Sequence, residues 1–285
     1  MTIRFMSKFI SHFIAALAAI SSVATLITFV FGWQVKDDTC IIKPILVAIS
    51  IILICFFYAI YQTRRKHKIK LDINASLKLT IQQADLFEQN GIIVIGVNEY
   101  FDSHVGDGIV SDRTLHGMFI NRYYKEHIDD LDKDIQNSLN QQGVKPIDTG
   151  CIRRHSAGKT NKYELGTCAL VYDGGKKYIL VALTHFDNND KAYLSRPELN
   201  LVLGKLMEFV SSMAEASEVH MPILGTGLAR INRTSTRVLH HIIDTLDFLY
   251  DYPIIGGLYI DIKSLSSAGI NLNKIEDHFK NGIKQ

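Results

Sequence analysis

Cysteine is scarce and unsuited to metal: Cys40, Cys55, Cys151 and Cys168 are the only four, no two form a CxxC pair, and no histidine lies at zinc-finger spacing from any of them. That argues against a disulfide framework and a metal site and leaves reduced, packing thiols. Charge of one sign is also lacking. The formal net charge is +2 over 285 residues, so no global field favours a nucleic-acid partner. A nucleophile elbow is missing too: Ser195, Ser211 and Ser235 lack the motif, and no histidine is placed to activate them.

Two stretches lack charge altogether. Phe9 to Trp33 contains no Asp, Glu, Lys or Arg, and Pro44 to Tyr61 is a second uncharged run rich in Ile and Leu. A membrane span needs about 20 apolar residues, so spans are expected near 9–32 and 42–61. The polar turn Lys36–Asp38 lies between them, and residues 1–61 read as a transmembrane helical hairpin. A signal peptide is the alternative for the first run, but the run exceeds a usual h-region and a second follows at once. Arg4 and Lys8 precede the first span, and Arg64, Arg65, Lys66, Lys68 and Lys70 follow the second. The positive-inside rule then puts both termini in the cytoplasm of a multi-pass inner-membrane protein. The first span carries small residues at helical spacing (Ser11, Ala15, Ala19 and Ala18, Ser22), a pattern compatible with self-association.

Residues 62–76 read as a basic linker, and 77–285 as one soluble domain. Strands are expected at 77–81, 91–97, 167–172, 178–183, 219–224 and 254–260, several of them continuous apolar runs covered on both faces. Helical patterns span 113–142, 197–216, 232–250 and 272–280, with Ser195 a candidate N-cap. Buried strands alternating with helices predict a three-layer α/β/α domain.

Two glycine-bearing segments follow apolar strands and precede helices: Gly106-Asp107-Gly108-Ile109-Val110 and Gly225-Thr226-Gly227-Leu228-Ala229-Arg230. Glycines let backbone N–H groups approach phosphate oxygens, and a helix N-terminus adds positive potential. With Ala84-Asp85-Leu86 and the strand ending Ile95-Gly96-Val97-Asn98, their order resembles that of macro domains, from about Lys70 to the C-terminus. The resemblance implies a mixed sheet and an ADP-ribose-type ligand. Asp85 would accept from the adenine amine and Asn98 would lie by the distal ribose. The backbones of 106–110 and 225–229 would cradle the diphosphate, beside Asp102 and Arg230.

The segment Val97-Asn98-Glu99-Tyr100-Phe101-Asp102 departs from the family by losing the second asparagine, and Asp107 stands where the family has glycine. These losses favour a binder over a de-ADP-ribosylating enzyme, with no catalytic residue and no cofactor. Two spans followed by a divergent macro domain resemble the membrane effectors of Thoeris anti-phage systems. That resemblance implies a signal nucleotide, histidine-ADP-ribose, made from NAD by a TIR-domain partner. It also implies a ligand-driven homo-oligomer that disrupts the lipid bilayer and halts growth or kills the cell. The amino acid of such a ligand would meet Glu99, Asp102, His104 and Asp107. A membrane-tethered ADP-ribosyl hydrolase is the alternative, and a scaffold that only anchors a partner is more distant.

Overall fold

The computed structural model describes residues 2–31, 42–74, 76–150, 152, 157–187, 189–227, 231, 233–249 and 252–282. The expected turn at Lys36–Asp38, together with Cys40, Cys151, Leu228, Ala229 and Arg230, lies outside them. The chain divides into two compact units, Met1–Arg65 and Lys66–Gln285.

The first unit is a pair of helices, α1 (Thr2–Phe31) and α2 (Ile42–Thr63). Phe9 meets Phe56 edge to face at 5.5 Å, and Cys55 and Ala59 are fully buried. The hydroxyls of Ser22 and Thr25 donate to the carbonyls four residues back, so α1 satisfies its own polar side chains. Among the described residues, no helix is long and apolar enough to cross a membrane. The two expected spans therefore go without support from the fold.

The second unit is built on an eight-stranded sheet: β1 (Lys68–Asp72), β2 (Lys78–Gln82), β3 (Ile92–Asn98), β4 (Cys168–Asp173), β5 (Lys176–Phe186), β6 (Ala192–Tyr193), β7 (Val219–Met221) and β8 (Leu258–Asp261). Its order is β1-β2-β8-β7-β3-β5-β4, with β6 paired to β5. The central strands β2, β8, β7, β3 and β5 are parallel, while β1 and β4 run antiparallel at the edges. Strand alternation divides the core in two. Ile92 and Val94 of β3 face one cluster with α5 (Arg196–Met213), α6 (Ser235–Phe248) and α7 (Leu272–Gly282). Ile93, Ile95 and Val97 face the other, with α3 (Leu115–Phe119) and α4 (Ile128–Gln141).

Two sequence expectations need correction. The basic stretch read as linker contains β1, where Ile69 and Leu71 are buried and Lys68, Lys70 and Asp72 are exposed. The single helix expected over 113–142 is broken. A π-helical turn at Ile120–Tyr124 follows α3, and His127 has the non-helical angles φ −134°, ψ 39°. Asp129 and Asp130 then occupy the first turn of α4, the acidic start signal favoured by the helix dipole.

Candidate functional site

Because five neighbouring strands run parallel, their carboxyl ends share one crest, where ligands of open α/β sheets bind. Asp85 follows β2 there, Asn98 ends β3, and the glycine loop of 225–227 follows β7.

Asp85 caps a short 3-10 turn, Leu86–Glu88, by accepting from the Phe87 amide at 3.1 Å. Its other oxygen lies 3.0 Å from Lys263 Nζ, just past β8. The Lys263 hydrogen bond holds the Asp85 carboxyl below the usual aspartate range. Asp85→Ala is expected to weaken nucleotide binding about tenfold or more, the worth of a charge-assisted hydrogen bond. Calorimetry checks it. The ion pair's small stabilising effect is present above the unfolded pKa and fades as pH falls through the lowered folded value.

The first glycine loop is a tight turn. The Gly106 amide donates to the Val110 carbonyl and the Ile109 amide to the Gly106 carbonyl, both at 2.9 Å. Gly106, Asp107 and Gly108 all have positive φ (115°, 49° and 78°). Among the described residues, the amides of Asp107 and Gly108 make no hydrogen bond within the chain. Ile109 and Val110 anchor the loop in the core. The Asp107 carboxylate, which would repel a phosphate, turns to His104 Nε2 at 3.0 Å.

The two glycines of the second loop differ. Gly225 has φ 83°, and a Cβ there would lie 2.3 Å from Ile231 Cδ1, so this glycine is demanded by packing. Among the described residues, a Cβ on Gly227 would meet nothing within 4 Å. Thr226 closes the turn by donating its hydroxyl to the Ile223 carbonyl at 2.8 Å.

Asn98, Glu99 and Asp102 are turned inward. Asn98 Nδ2 donates to Asp102 at 3.0 Å, while its Oδ1 accepts from the Tyr100 and Asp102 amides. The other Asp102 oxygen accepts from the Lys159 amide at 2.8 Å, and Lys159 Nζ reaches Asp132 and the Phe101 carbonyl. These bonds hold Phe101 at φ 52°, a conformation that costs a non-glycine residue about 1–3 kcal/mol. His116 is buried beneath the loop and donates to the Asp102 carbonyl; burial lowers its pKa to about 3, so the ring is neutral near pH 7.

Sequence reasoning missed a further network. Glu99 is fully buried between His185 Nδ1 and Lys162 Nζ, the latter at 3.2 Å, and accepts from the Phe186 amide at 3.0 Å. The far side of His185 faces Glu198 at 3.3 Å. Glu99 and Asp102, both expected beside a ligand's amino acid, are thus engaged within the chain: Glu99 by Lys162, His185 and an amide, and Asp102 by the Asn98 side-chain amide and the Lys159 backbone amide. Only Ser195 as an N-cap was read from the sequence; the structure completes its capping box with Glu198. Glu99→Ala is expected to cost about 2–4 kcal/mol, because the partly buried Lys162 ammonium, the His185 ring and an amide lose their acceptor. A lower denaturant midpoint at unchanged slope is the measurement.

A parallel-centred mixed sheet with glycine loops at its carboxyl crest defines a macro domain. Two solved macrodomain structures from Oceanobacillus iheyensis, one with ADPR and one with ADP, share this fold. Each aligns with a TM-score of 0.50 at 14% identity over 75% of this chain, covering 99% and 97% of theirs. Residues 79–249 match the family described as Thoeris protein ThsA, Macro domain, and the chain belongs to that family. The Thoeris protein ThsA of Bacillus amyloliquefaciens (strain Y2) is 28% identical over 218 residues, 75% of this chain and 70% of that protein.

Proposed function

We propose that the macro domain senses an ADP-ribose-derived signal nucleotide, histidine-ADP-ribose in the first instance, released by a TIR-domain partner that consumes NAD. The carrying observation is the pair of glycine loops at one crest. Among the described residues, Gly227 leaves open space and the amides of Asp107 and Gly108 are unclaimed. A diphosphate is the chemistry such donors accept. The paired state of Glu99 and Asp102 favours binding over hydrolysis, since a general base must reach the substrate. Titrating the full chain in detergent with ADP-ribose and with histidine-ADP-ribose tests the reading. Saturable binding of the conjugate supports it, and heat with neither ligand overturns it.

In this reading the helix pair anchors the protein in the bacterial inner membrane, with both termini cytoplasmic. The outward apolar side chains of Ile10, Ile14, Ile52, Leu53 and Phe57 support that role, since lipid would cover them. Ligand then drives homo-oligomerisation and bilayer disruption. Moving from mostly dispersed to mostly clustered requires about 5.5 kcal/mol of differential ligand affinity. Ala15 and Ala19 face outward on α1, where small residues allow close helix approach. Ala15→Leu/Ala19→Leu is therefore expected to spare ligand affinity and to abolish depolarisation on activation. Calorimetry paired with a membrane-potential dye checks both halves; lost ligand binding would sink the division of labour.

A further inference from the structure

A groove of about 450 Å³ opens between the N-terminal halves of α5 and α6, on the flank of the domain. Leu199 and Val238 form its buried apolar floor. Arg196 stands on one wall, and Arg233 and Arg237 stand on the other, against a single carboxylate, Asp244. Among the described residues, the guanidiniums of Arg196 and Arg237 form no ion pair within the chain. The first turn of α6 contains no acidic residue, and Thr234 at its N-cap makes no side-chain capping bond, so the helix dipole adds to the positive potential. His241 also lines the groove, and its Nε2 is buried without a hydrogen-bond partner.

We propose that this groove is a second anion site that takes a phosphate-bearing small molecule. Arg196 and Arg237 hold the phosphate oxygens, because guanidinium forks match that geometry. The groove's size and apolar floor exceed what bare phosphate fills, so the ligand carries an organic group such as a sugar. Ile231 lines the groove and also lies against Gly225. The groove ligand therefore bears on the second glycine loop, and any coupling between the two sites is reciprocal. None of the groove's arginines belongs to the crest residues of the nucleotide reading, so the proposal does not depend on that reading.

The test uses the full chain in detergent, carrying Gly227→Val to silence the crest. It is titrated with ribose 5-phosphate and with inorganic phosphate by calorimetry. One saturable site is expected, tighter for the sugar phosphate. Arg196→Ala/Arg237→Ala should weaken it about tenfold or more, as loss of charge-assisted bonds requires. Both arginines are exposed, so the fold is spared, and an unchanged melting temperature checks this. Repeating the titration with phosphatidylglycerol in the micelles distinguishes the source of the phosphate. Competition assigns it to a lipid headgroup, and its absence assigns it to a soluble metabolite. No saturable heat with either probe, or equal affinity in the folded double variant, overturns the proposal. In the Gly227→Val chain, loss of ADP-ribose binding with ribose 5-phosphate binding retained would separate the crest from the groove.

Discussion

Gly227→Val is expected to lower affinity for the signal nucleotide at least about 100-fold, close to 2.7 kcal/mol, with the fold intact. The argument rests on the contrast within one loop. A side chain at 225 collides with Ile231 and forces a positive-φ backbone, so any substitution there confounds folding with binding. At 227 a Cβ meets nothing within 4 Å among the described residues and φ lies outside the left-handed region, so valine there is expected to leave the fold in place. What valine fills is the volume a diphosphate needs when it approaches the loop amides. Calorimetry with histidine-ADP-ribose reads the loss, and a thermal melt reads the fold. A folded variant with unchanged affinity would make the loop a structural turn and move the ligand elsewhere on the crest.

How much of this was legible in sequence depends on the range of the interactions. The central strand β3 was plain, because each of its apolar residues is dictated by its own position between two covered faces. The break between α3 and α4 was obscured because amphipathic spacing continues across Lys125–His127, and only Asp129 and Asp130 mark the restart. Gly225 and Gly227 look alike in sequence. Their difference comes from Ile231, a contact that the turn creates. Glu99 and Asp102 were harder still. Their partners His185 and Lys159 stand 86 and 57 positions away, so two carboxylates beside an expected ligand could not be distinguished from two carboxylates already hydrogen-bonded within the chain. Likewise β7 read as an apolar run, although His220 within it is buried against Asp261 of β8, with Nδ1 at 2.7 Å.

The strand hidden in the basic linker leads to the second large effect. A fragment beginning at Lys66 is expected to fold, and one beginning at Leu77, the boundary read from sequence, is expected to fail. Lys66 is tied to α7 through its amide to Asn273 at 2.9 Å and its ammonium to Glu276. Beyond it, Ile69, Leu71 and Ile73 are no more than 6% exposed. Each such side chain contributes about 1.5–3 kcal/mol by burial, so the shorter fragment forfeits roughly 5–9 kcal/mol, comparable to the whole stability of a typical domain. It also bares the edge of β2, where Leu79 and Ile81 sit, and an unpaired apolar edge invites aggregation. Size-exclusion chromatography and circular dichroism on the two fragments decide it. If the 77–285 fragment were monomeric and melted within a few degrees of 66–285, β1 would be dispensable to the macro domain. Failure of the shorter fragment alone would make β1 part of the domain's own core, so that the basic residues Lys68 and Lys70 lie on the exposed face of a strand the domain cannot spare.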